Sequence, residues 1–334
     1  METAWSSFVT RCDEWRRRSR SPRPAGASSA GCHAQRSMPY RRRFGAIAAG
    51  RLWPVAVLGW IAFACAGRQP RSPLALTPGA VLDTLIGADG QKLHVRILTG
   101  RLPAIVLESG GGADASEWAT LSPQLAATTG SAVVSYDRAG FGRSELPAKP
   151  YDVRRELAGL HAALEHLHLA SSVLIVGHSY GGLLAQVYAH QYPTTVRGLV
   201  LVDPNTVAFV DAVGGPSSPL LAVTFDTGRP LSKVERAGKR QVDAFPQTLS
   251  IARRSPLSST LPITVITAGN PFWPTDSANR AWRTAHDELV RAGSGRQLVV
   301  ATGAGHQIPS ARPDLIIAAV RDVLSRAGSV HTRD

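Results

Sequence analysis

Serine, aspartate and histidine, the residue types that together carry out acyl transfer, occur in that order along this chain. Ser179 is the central residue of the pentapeptide at 177–181, which reads Gly-His-Ser-Tyr-Gly. A serine hydroxyl is a poor nucleophile, so a base has to take its proton, and a third group has to orient that base. Asp203 and His306 follow Ser179 and are candidates for these two roles. The combination predicts attack by the Ser179 oxygen on an acyl carbon.

The sequence around Ser179 predicts a sharp turn between a strand and a helix. The apolar run Val173–Val176 precedes the pentapeptide, and a helical pattern beginning at Tyr180 follows it. This is the context that a Gly-x-Ser-x-Gly nucleophile requires. A side chain two residues before or after the serine would clash, which accounts for Gly177 and Gly181. The first amides of the helix would favour negative charge that develops beside the serine.

These residues need a sheet that holds them at one edge. Short apolar runs predict strands buried on both faces, with an antiparallel hairpin formed by the first two. The eight predicted strands are Val81–Ile86, Lys92–Leu98, Ala104–Glu108, Ala132–Tyr136, Val173–Val176, Leu199–Val202, Ile263–Ile266 and Gln297–Ala301. Helical patterns cover Glu117–Ala127, Asp152–Leu169, Gly181–Gln191, Ser277–Arg291 and Arg312–Arg326. The alternation predicts an α/β fold with an eight-stranded, mostly parallel sheet and helices on both faces.

The connection between the sixth and seventh predicted strands is too long for a simple loop. It covers residues 204–261 and includes a polar helical stretch at Ser232–Asp243. A connection of this length in a compact domain is usually a lid or an inserted cap. We therefore expect one domain over residues 72–330, with a small lid at about 204–261 that sets the substrate.

The basic composition belongs to the N-terminal part of the chain. The 334 residues carry a formal net charge of +13, but residues 1–71 hold 13 of the 37 basic residues and three of the 24 acidic ones. Residues 72–334 have a balance of +3, so a nucleic-acid partner loses its main support. The cysteines (Cys12, Cys32 and Cys65) all lie in the same N-terminal part. The main body therefore has no disulfide, thiolate nucleophile or cysteine-ligated metal.

Residues 1–71 have the composition of a leader. Residues 1–37 are rich in Arg, Ser, Pro and Ala and are predicted to be disordered. Translation from Met38 would give a charged segment followed by the apolar run Leu52–Gly67, which is the layout of a secretory signal. The rival interpretation of residues 38–71 is a membrane anchor formed by residues 44–67. We expect an exported (secreted or periplasmic) or membrane-anchored protein.

Four segments of the main body together resemble one known family. They are Val173–Gly182 (VLIVGHSYGG), Leu107–Trp118 (LESGGGADASEW), Tyr136–Ser144 (YDRAGFGRS) and Gly303–His306 (GAGH). On these segments the body resembles the α/β-hydrolase superfamily, in its serine hydrolase or esterase-like branch. The resemblance implies that Leu107–Trp118 forms the oxyanion loop and that His306 is the general base.

The resemblance also implies an oxyanion hole made of two backbone amides. One belongs to Tyr180, directly after the nucleophile, and the other to Gly111 in the glycine run. Glu108-Ser109 stands where the superfamily often has a histidine. We expect this departure to alter the hydrogen bonding of the loop without removing the backbone donors.

The acid can be assigned in two ways. The superfamily commonly has its acid shortly after the seventh strand, but that position is Phe272 here. Asp276 lies later, beside a predicted helix start, where its ordinary role is a cap or a first-turn charge. Asp203 directly follows the sixth strand, and some branches of the superfamily take their acid there. Asp203 is the preferred candidate and Asp276 the alternative.

The expected activity is hydrolysis of a small to medium carboxylic ester through an acyl-enzyme intermediate. Amide, thioester and carbon–carbon bonds stay open as substrates. Epoxide hydrolases and haloalkane dehalogenases match poorly, because they need a carboxylate where this chain has Ser179. No metal or organic cofactor is implied. Expected partners are a small-molecule ester-like substrate and, through residues 44–67, a membrane. The alternative is a ligand-binding or scaffold protein with a decayed triad on the same fold.

Overall fold

Strands form where apolar and β-branched residues follow one another in the sequence. In the computed structural model, eight strands join in one sheet. The structure describes residues 79–88, 90–226 and 228–330. The strands are β1 (Val81–Ala88), β2 (Gln91–Leu98), β3 (Arg101–Glu108), β4 (Ser131–Tyr136), β5 (Val173–His178), β6 (Val196–Val202), β7 (Ile263–Ala268) and β8 (Arg296–Ala301). The predicted leader at 1–71 lies outside the described residues, as do the export and membrane-anchor predictions made for it.

The sheet has the strand order β1-β2-β4-β3-β5-β6-β7-β8. Strand β2 runs antiparallel to β1 and β4, and the other neighbouring pairs are parallel. Strands β4, β5 and β7 are buried along their whole length, as strands covered on both faces should be. The predicted eight-stranded, mostly parallel sheet is confirmed. Because β5 to β8 are parallel, residues that follow their C-terminal ends gather at one edge.

Helices cover both faces of this sheet. They are α1 (Leu121–Thr129), α2 (Val153–His166), α3 (Tyr180–Gln191), α4 (Val207–Ala212), α5 (Lys233–Asp243), α6 (Phe245–Arg253), α7 (Asp276–Arg291), α8 (Ile308–Ala311) and α9 (Pro313–Val330). On one face α1 and α9 pack through Leu125 and Val320. On the other, α2, α3 and α7 pack through Leu160, Leu184 and Trp282. The alternating side chains of the central strands divide between these two cores.

The first predicted helix differs most from the observed one. The residues predicted as helical from Glu117 form a 3-10 turn at Ala115–Trp118, and α1 begins at Leu121. The side chain of Asp114 caps the turn, and the Glu117 carboxylate accepts a hydrogen bond from the backbone of Gly110. The turn therefore belongs to the loop after β3, which the periodicity of the apolar residues does not reveal.

Helices α4 to α6 lie between β6 and β7, in the segment for which we predict a lid (the lid segment, residues 204–261). The α5 helix is fastened to the loop after β4, because Lys233 Nζ donates to the carbonyl oxygens of Gly142 and Ser144, both at 2.8 Å. The lid segment is thus held against the loop after β4. Within the part of the chain that the structure describes, no helix is long and apolar enough to span a membrane.

Candidate active site

The turn between β5 and α3 holds Ser179 in a strained backbone conformation, with φ +53° and ψ −120°. A Cβ atom at Gly177 would lie 2.6 Å from the Gly181 carbonyl oxygen, and one at Gly181 would lie 2.5 Å from that of Ser109. These approaches require glycine at both positions. The turn is tied to β6, since the Ser179 N–H donates to Val202 O at 3.0 Å. Strand, turn and helix together present the Ser179 side chain at the sheet edge.

Ser179, His306 and Asp203 form a continuous chain of hydrogen bonds. The Ser179 Oγ lies 3.0 Å from Nε2 of His306, and Nδ1 of His306 lies 2.6 Å from Oδ2 of Asp203. The carboxylate assigns the ring proton to Nδ1, which donates to Asp203 and leaves Nε2 to accept the serine proton. The three residues follow β5, β8 and β6 respectively. In this geometry a base can remove the hydroxyl proton of Ser179.

Asp203 is fully buried and fully hydrogen-bonded. Its second oxygen, Oδ1, accepts from the backbone N–H of Ala268 at 2.9 Å and from Nε1 of Trp282 at 2.8 Å. Burial would raise the pKa of Asp203, but hydrogen bonds, above all the one from His306 and also the one from Trp282, outweigh it and lower that pKa. The carboxylate is therefore ionised at neutral pH and held in one orientation.

The two acid candidates occupy different environments. Asp276 is exposed in the first turn of α7, directly after the capping residue Thr275. The structure brings Asp203, and not Asp276, into contact with His306. Phe272, which stands where the superfamily commonly has its acid, stacks on the His306 ring with centroids 4.6 Å apart. Sequence reasoning did not find this stacking or the Trp282 hydrogen bond to Asp203.

His306 is set up as a neutral base. Burial lowers the pKa of its imidazole, and the hydrogen bond to Asp203 opposes this shift only in part. The ring is accordingly unprotonated at neutral pH and can accept the proton of Ser179. Asp203 would stabilise the imidazolium that forms during this transfer.

The predicted oxyanion donors lie where the loop after β3 meets the start of α3. Tyr180 opens α3, so its N–H belongs to the first turn, where helix amides lack an intrahelical acceptor. Gly111 is buried, and among the described residues its N–H has no hydrogen-bond partner. The two segments approach closely, since a Cβ atom at Gly181 would lie only 2.5 Å from Ser109 O. Both amides are therefore free to bind a developing oxyanion.

A buried ion pair connects three loops around the site. The Glu117 carboxylate lies 2.6 Å from Nδ1 of His178 and also accepts the N–H of Gly110 at 2.8 Å. Nε2 of His178 donates to the backbone carbonyl of His306 at 3.0 Å. Burial would lower the pKa of His178, but Glu117 raises it on balance. Burial would raise the pKa of Glu117, but the charge of His178 outweighs this effect and lowers that pKa. The pair is ionised, and His178 donates from both ring nitrogens. Sequence analysis gave no sign of the role of Glu117.

A cavity of about 180 Å³ lies beside the turn that carries Ser179, between Tyr180 and the lid segment, although Ser179 itself is not among its lining residues. Tyr180 and Asn205 line it on the side of the sheet, and the Asn205 N–H donates to Ser179 O at 2.9 Å. The lid segment contributes apolar side chains that include Leu221 and Phe225. None of the described residues that line this cavity is Lys, Arg or His. Most of the lining is apolar, and its two acidic members are Asp226 and Glu235.

The other buried histidines have structural partners. Nδ1 of His94 lies 2.8 Å from Asp137, which orders the loop after β4. His286 accepts from the Thr267 hydroxyl and donates to Pro204 O. Within the described residues, no group of three or more His, Cys, Asp or Glu side chains could hold a metal ion.

Comparison with known proteins gives one family match and many structures of similar fold. Residues 103–259 match the family model described as alpha/beta hydrolase fold. Among solved structures, the haloalkane dehalogenase DatA from Agrobacterium tumefaciens superposes with a TM-score of 0.54 at 17% identity. That superposition covers 74% of this chain and 97% of the dehalogenase. At this identity it compares folds and carries no information on the reaction.

Curated relatives match over part of their length. An uncharacterized protein of Mycobacterium tuberculosis is 34% identical over 110 residues, which is 33% of this chain and 31% of the relative. The 2-hydroxy-6-oxo-2,4-heptadienoate hydrolase of Pseudomonas putida is 35% identical over 157 residues, which is 44% of this chain and 56% of that enzyme. The chain therefore spans about a third of the length of the mycobacterial relative and little more than half of the length of the hydrolase.

Proposed function

The chain is an α/β hydrolase by fold, and from this premise we propose that it cleaves carboxylic esters of small to medium size through an acyl-enzyme intermediate. The observation that carries the proposal is the unbroken chain of hydrogen bonds from Ser179 through His306 to Asp203, at 3.0 and 2.6 Å. A decayed site would have little reason to keep the strained turn at Ser179 and the three donors on the buried Asp203.

The reaction follows from these contacts. Ser179 Oγ attacks the acyl carbon while His306 Nε2 takes its proton, and the amides of Gly111 and Tyr180 receive the oxyanion. His306 then donates this proton to the leaving alcohol, and the acyl group stays on Ser179. A water molecule repeats the attack with His306 as base, so that the acid leaves and the enzyme returns to its starting state.

The cavity indicates what kind of ester would bind. Its lining is mainly apolar, and its acidic members are Asp226 and Glu235. Both are paired with Arg229, at 3.4 and 2.5 Å. Because none of the described residues in the lining is a cation, a negatively charged substrate would find no partner of opposite charge there. We therefore propose a neutral ester whose acyl or alcohol group fits beside Leu221 and Phe225.

A keto acid is the second candidate substrate class. The similarity to the Pseudomonas putida hydrolase, whose name specifies a hydroxy-oxo-heptadienoate, favours it. A serine nucleophile with a base is compatible with that substrate. The substrate carboxylate, however, would meet no described cation in the cavity. This second proposal therefore ranks below the neutral ester.

The test is hydrolysis of p-nitrophenyl esters, from acetate to octanoate, by the full chain. We expect turnover that Ser179→Ala abolishes and that the control Ser310→Ala retains, because Ser310 is an exposed helix residue. A serine-reactive fluorophosphonate should label the wild type and the control but not Ser179→Ala. Equal ester turnover in wild type and Ser179→Ala, or no labelling of Ser179, would favour the ligand-binding alternative.

A further inference from the structure

Arg138 is a buried cation beside the proposed oxyanion hole that has no role in the proton transfers. It follows β4 and is 1% exposed. Its NH1 donates to Glu108 Oε1 at 2.8 Å and to Ser109 O at 2.5 Å, and its NH2 donates to Gly110 O at 2.5 Å. We propose that Arg138 is a positioning residue for the oxyanion hole, which fixes the Gly110–Gly111 peptide so that the Gly111 N–H is presented to the reacting carbonyl.

The direction of the Gly111 N–H follows from the geometry of a planar peptide. In a trans peptide the carbonyl and the N–H of the next residue point in opposite directions. Because Arg138 holds the Gly110 carbonyl, the Gly111 N–H points away from the guanidinium. The adjoining Gly112 lines the same cavity as Tyr180, which carries the other oxyanion donor.

The loop needs such a clamp because it is made of glycines. Residues 110–112 are three glycines in a row, and glycine peptides can rotate with little steric resistance. The preceding peptide is held at both ends, since Ser109 O accepts from Arg138 and the Gly110 N–H donates to Glu117. Gly110 O also accepts from the Ala113 N–H at 3.2 Å, a longer bond than the one from Arg138. A rotated Gly110–Gly111 peptide would lose both bonds and would direct a carbonyl oxygen toward the oxyanion.

Glu108 explains why an arginine can be buried here. Its carboxylate pairs with Arg138 and also accepts the hydroxyl of Tyr136. A guanidinium holds its donors in a rigid planar fork, here directed at a carboxylate and two carbonyls, whereas an ammonium has its three donors on one atom at the end of a flexible chain. Glu108 and Ser109, which depart from the superfamily pattern, thus both take part in the clamp. Glu108 provides the charge opposite Arg138, and Ser109 provides one of the carbonyl acceptors.

The inference rests on the proposed esterase function, and its test separates the two. In the full chain, Arg138→Lys keeps the charge opposite Glu108 but loses the fork. We measure kcat/KM on p-nitrophenyl butyrate, inhibition by an alkyl trifluoromethyl ketone that adds to Ser179, and inhibition by the matching methyl ketone. We expect losses of about 100-fold in kcat/KM and in trifluoromethyl ketone affinity, because one oxyanion donor is misplaced. Methyl ketone affinity should change less than about threefold, since this ligand forms no oxyanion.

A second variant covers the case in which Arg138→Lys does not fold. Arg138→Met combined with Glu108→Gln removes both charges, so no unpaired charge is buried. It should show the same selective loss. The control Arg143→Lys alters an exposed arginine of the same loop, paired with Asp83, and should behave as wild type.

Three results would overturn the clamp. They are folded variants with wild-type trifluoromethyl ketone affinity, equal losses for both ketones, and failure of both variants to fold, which would make Arg138 a structural residue. Absence of Ser179-dependent hydrolysis in the wild type would instead overturn the proposed function, and the catalytic role of the clamp with it.

Discussion

Replacement of Asp203 by asparagine should disable the site by changing the tautomer of His306. Oδ1 of Asp203 accepts two hydrogen bonds, from the N–H of Ala268 and from Nε1 of Trp282. An asparagine would keep its oxygen on these two donors and turn its NH₂ group toward His306. Nδ1 of His306 would then have to accept, and the ring proton would move to Nε2. An Nε2 that carries a proton cannot take one from Ser179.

The size of the effect follows from the loss of this acceptor. A wrong tautomer in an otherwise intact triad lowers kcat by about 10⁴-fold, and each tenfold corresponds to about 1.4 kcal/mol of barrier. The loss should therefore be about 5.5 kcal/mol of transition-state stabilisation. KM for a p-nitrophenyl ester should change little, because Asp203 does not line the cavity. Steady-state kinetics on wild type and Asp203→Asn measure both quantities.

Asp276→Asn is the matched control, since it makes the same change at the other candidate acid. Asp276 is exposed and lies in the first turn of α7, so its loss should affect the reaction less than about threefold. If Asp203→Asn kept activity within tenfold of the wild type, the reasoning from the hydrogen bonds of Oδ1 would be refuted. A large loss in Asp276→Asn would reassign the acid.

Further predictions concern pH, stability and the turn. Because burial lowers the pKa of His306 and the base must be neutral, kcat/KM for an ester should rise to its plateau with a midpoint below pH 6.5, and a midpoint above 6.5 would contradict this. Glu117→Gln should lower the free energy of unfolding in urea by about 3 kcal/mol, because the charge of His178 stays buried without its partner. The lowered pKa of Glu117 stabilises the fold above about pH 4.5, and the raised pKa of His178 does so below about pH 6.5, so the difference should be largest between these values. Gly181→Ala should prevent stable folding, whereas Gly87→Ala, which has open space around it, should keep a melting temperature close to the wild-type value.

Local sequence pattern was enough to predict the fold. The strand cores and the turn at Ser179 depend on residues close together in sequence, such as the run Val173–Val176 and the glycines at 177 and 181. The ends of elements were less predictable, since they depend on hydrogen bonds with other segments. Glu117 illustrates this, because its side chain binds Gly110 and His178 instead of extending a helix.

The parts of the site that sequence reasoning missed are contacts between distant segments. Arg138 and Glu108 are 30 residues apart, and Trp282 and Asp203 are 79 apart. Nothing in the local pattern of one sequence distinguishes a buried, paired arginine from an exposed one. Only the fold shows that the loops after β3 and β4 lie side by side.

Asp203 lies close in space to the position that an acid after β7 would occupy, although the two positions are far apart in the sequence. Strands β6 and β7 are parallel neighbours, and the Asp203 N–H donates to Ile266 O of β7 at 2.6 Å. The Ala268 N–H at the end of β7 in turn donates to the Asp203 carboxylate. A carboxylate one residue beyond β6 therefore lies over the end of β7, where an acid on the next loop would also reach His306. Counting residues after β7 leads to Phe272, whose ring instead packs on the imidazole. His306 requires a hydrogen-bond acceptor at one point in space, and a residue that follows either β6 or β7 can reach that point. Here the residue after β6 is the acceptor, and the loop after β7 contributes a ring that packs on the histidine.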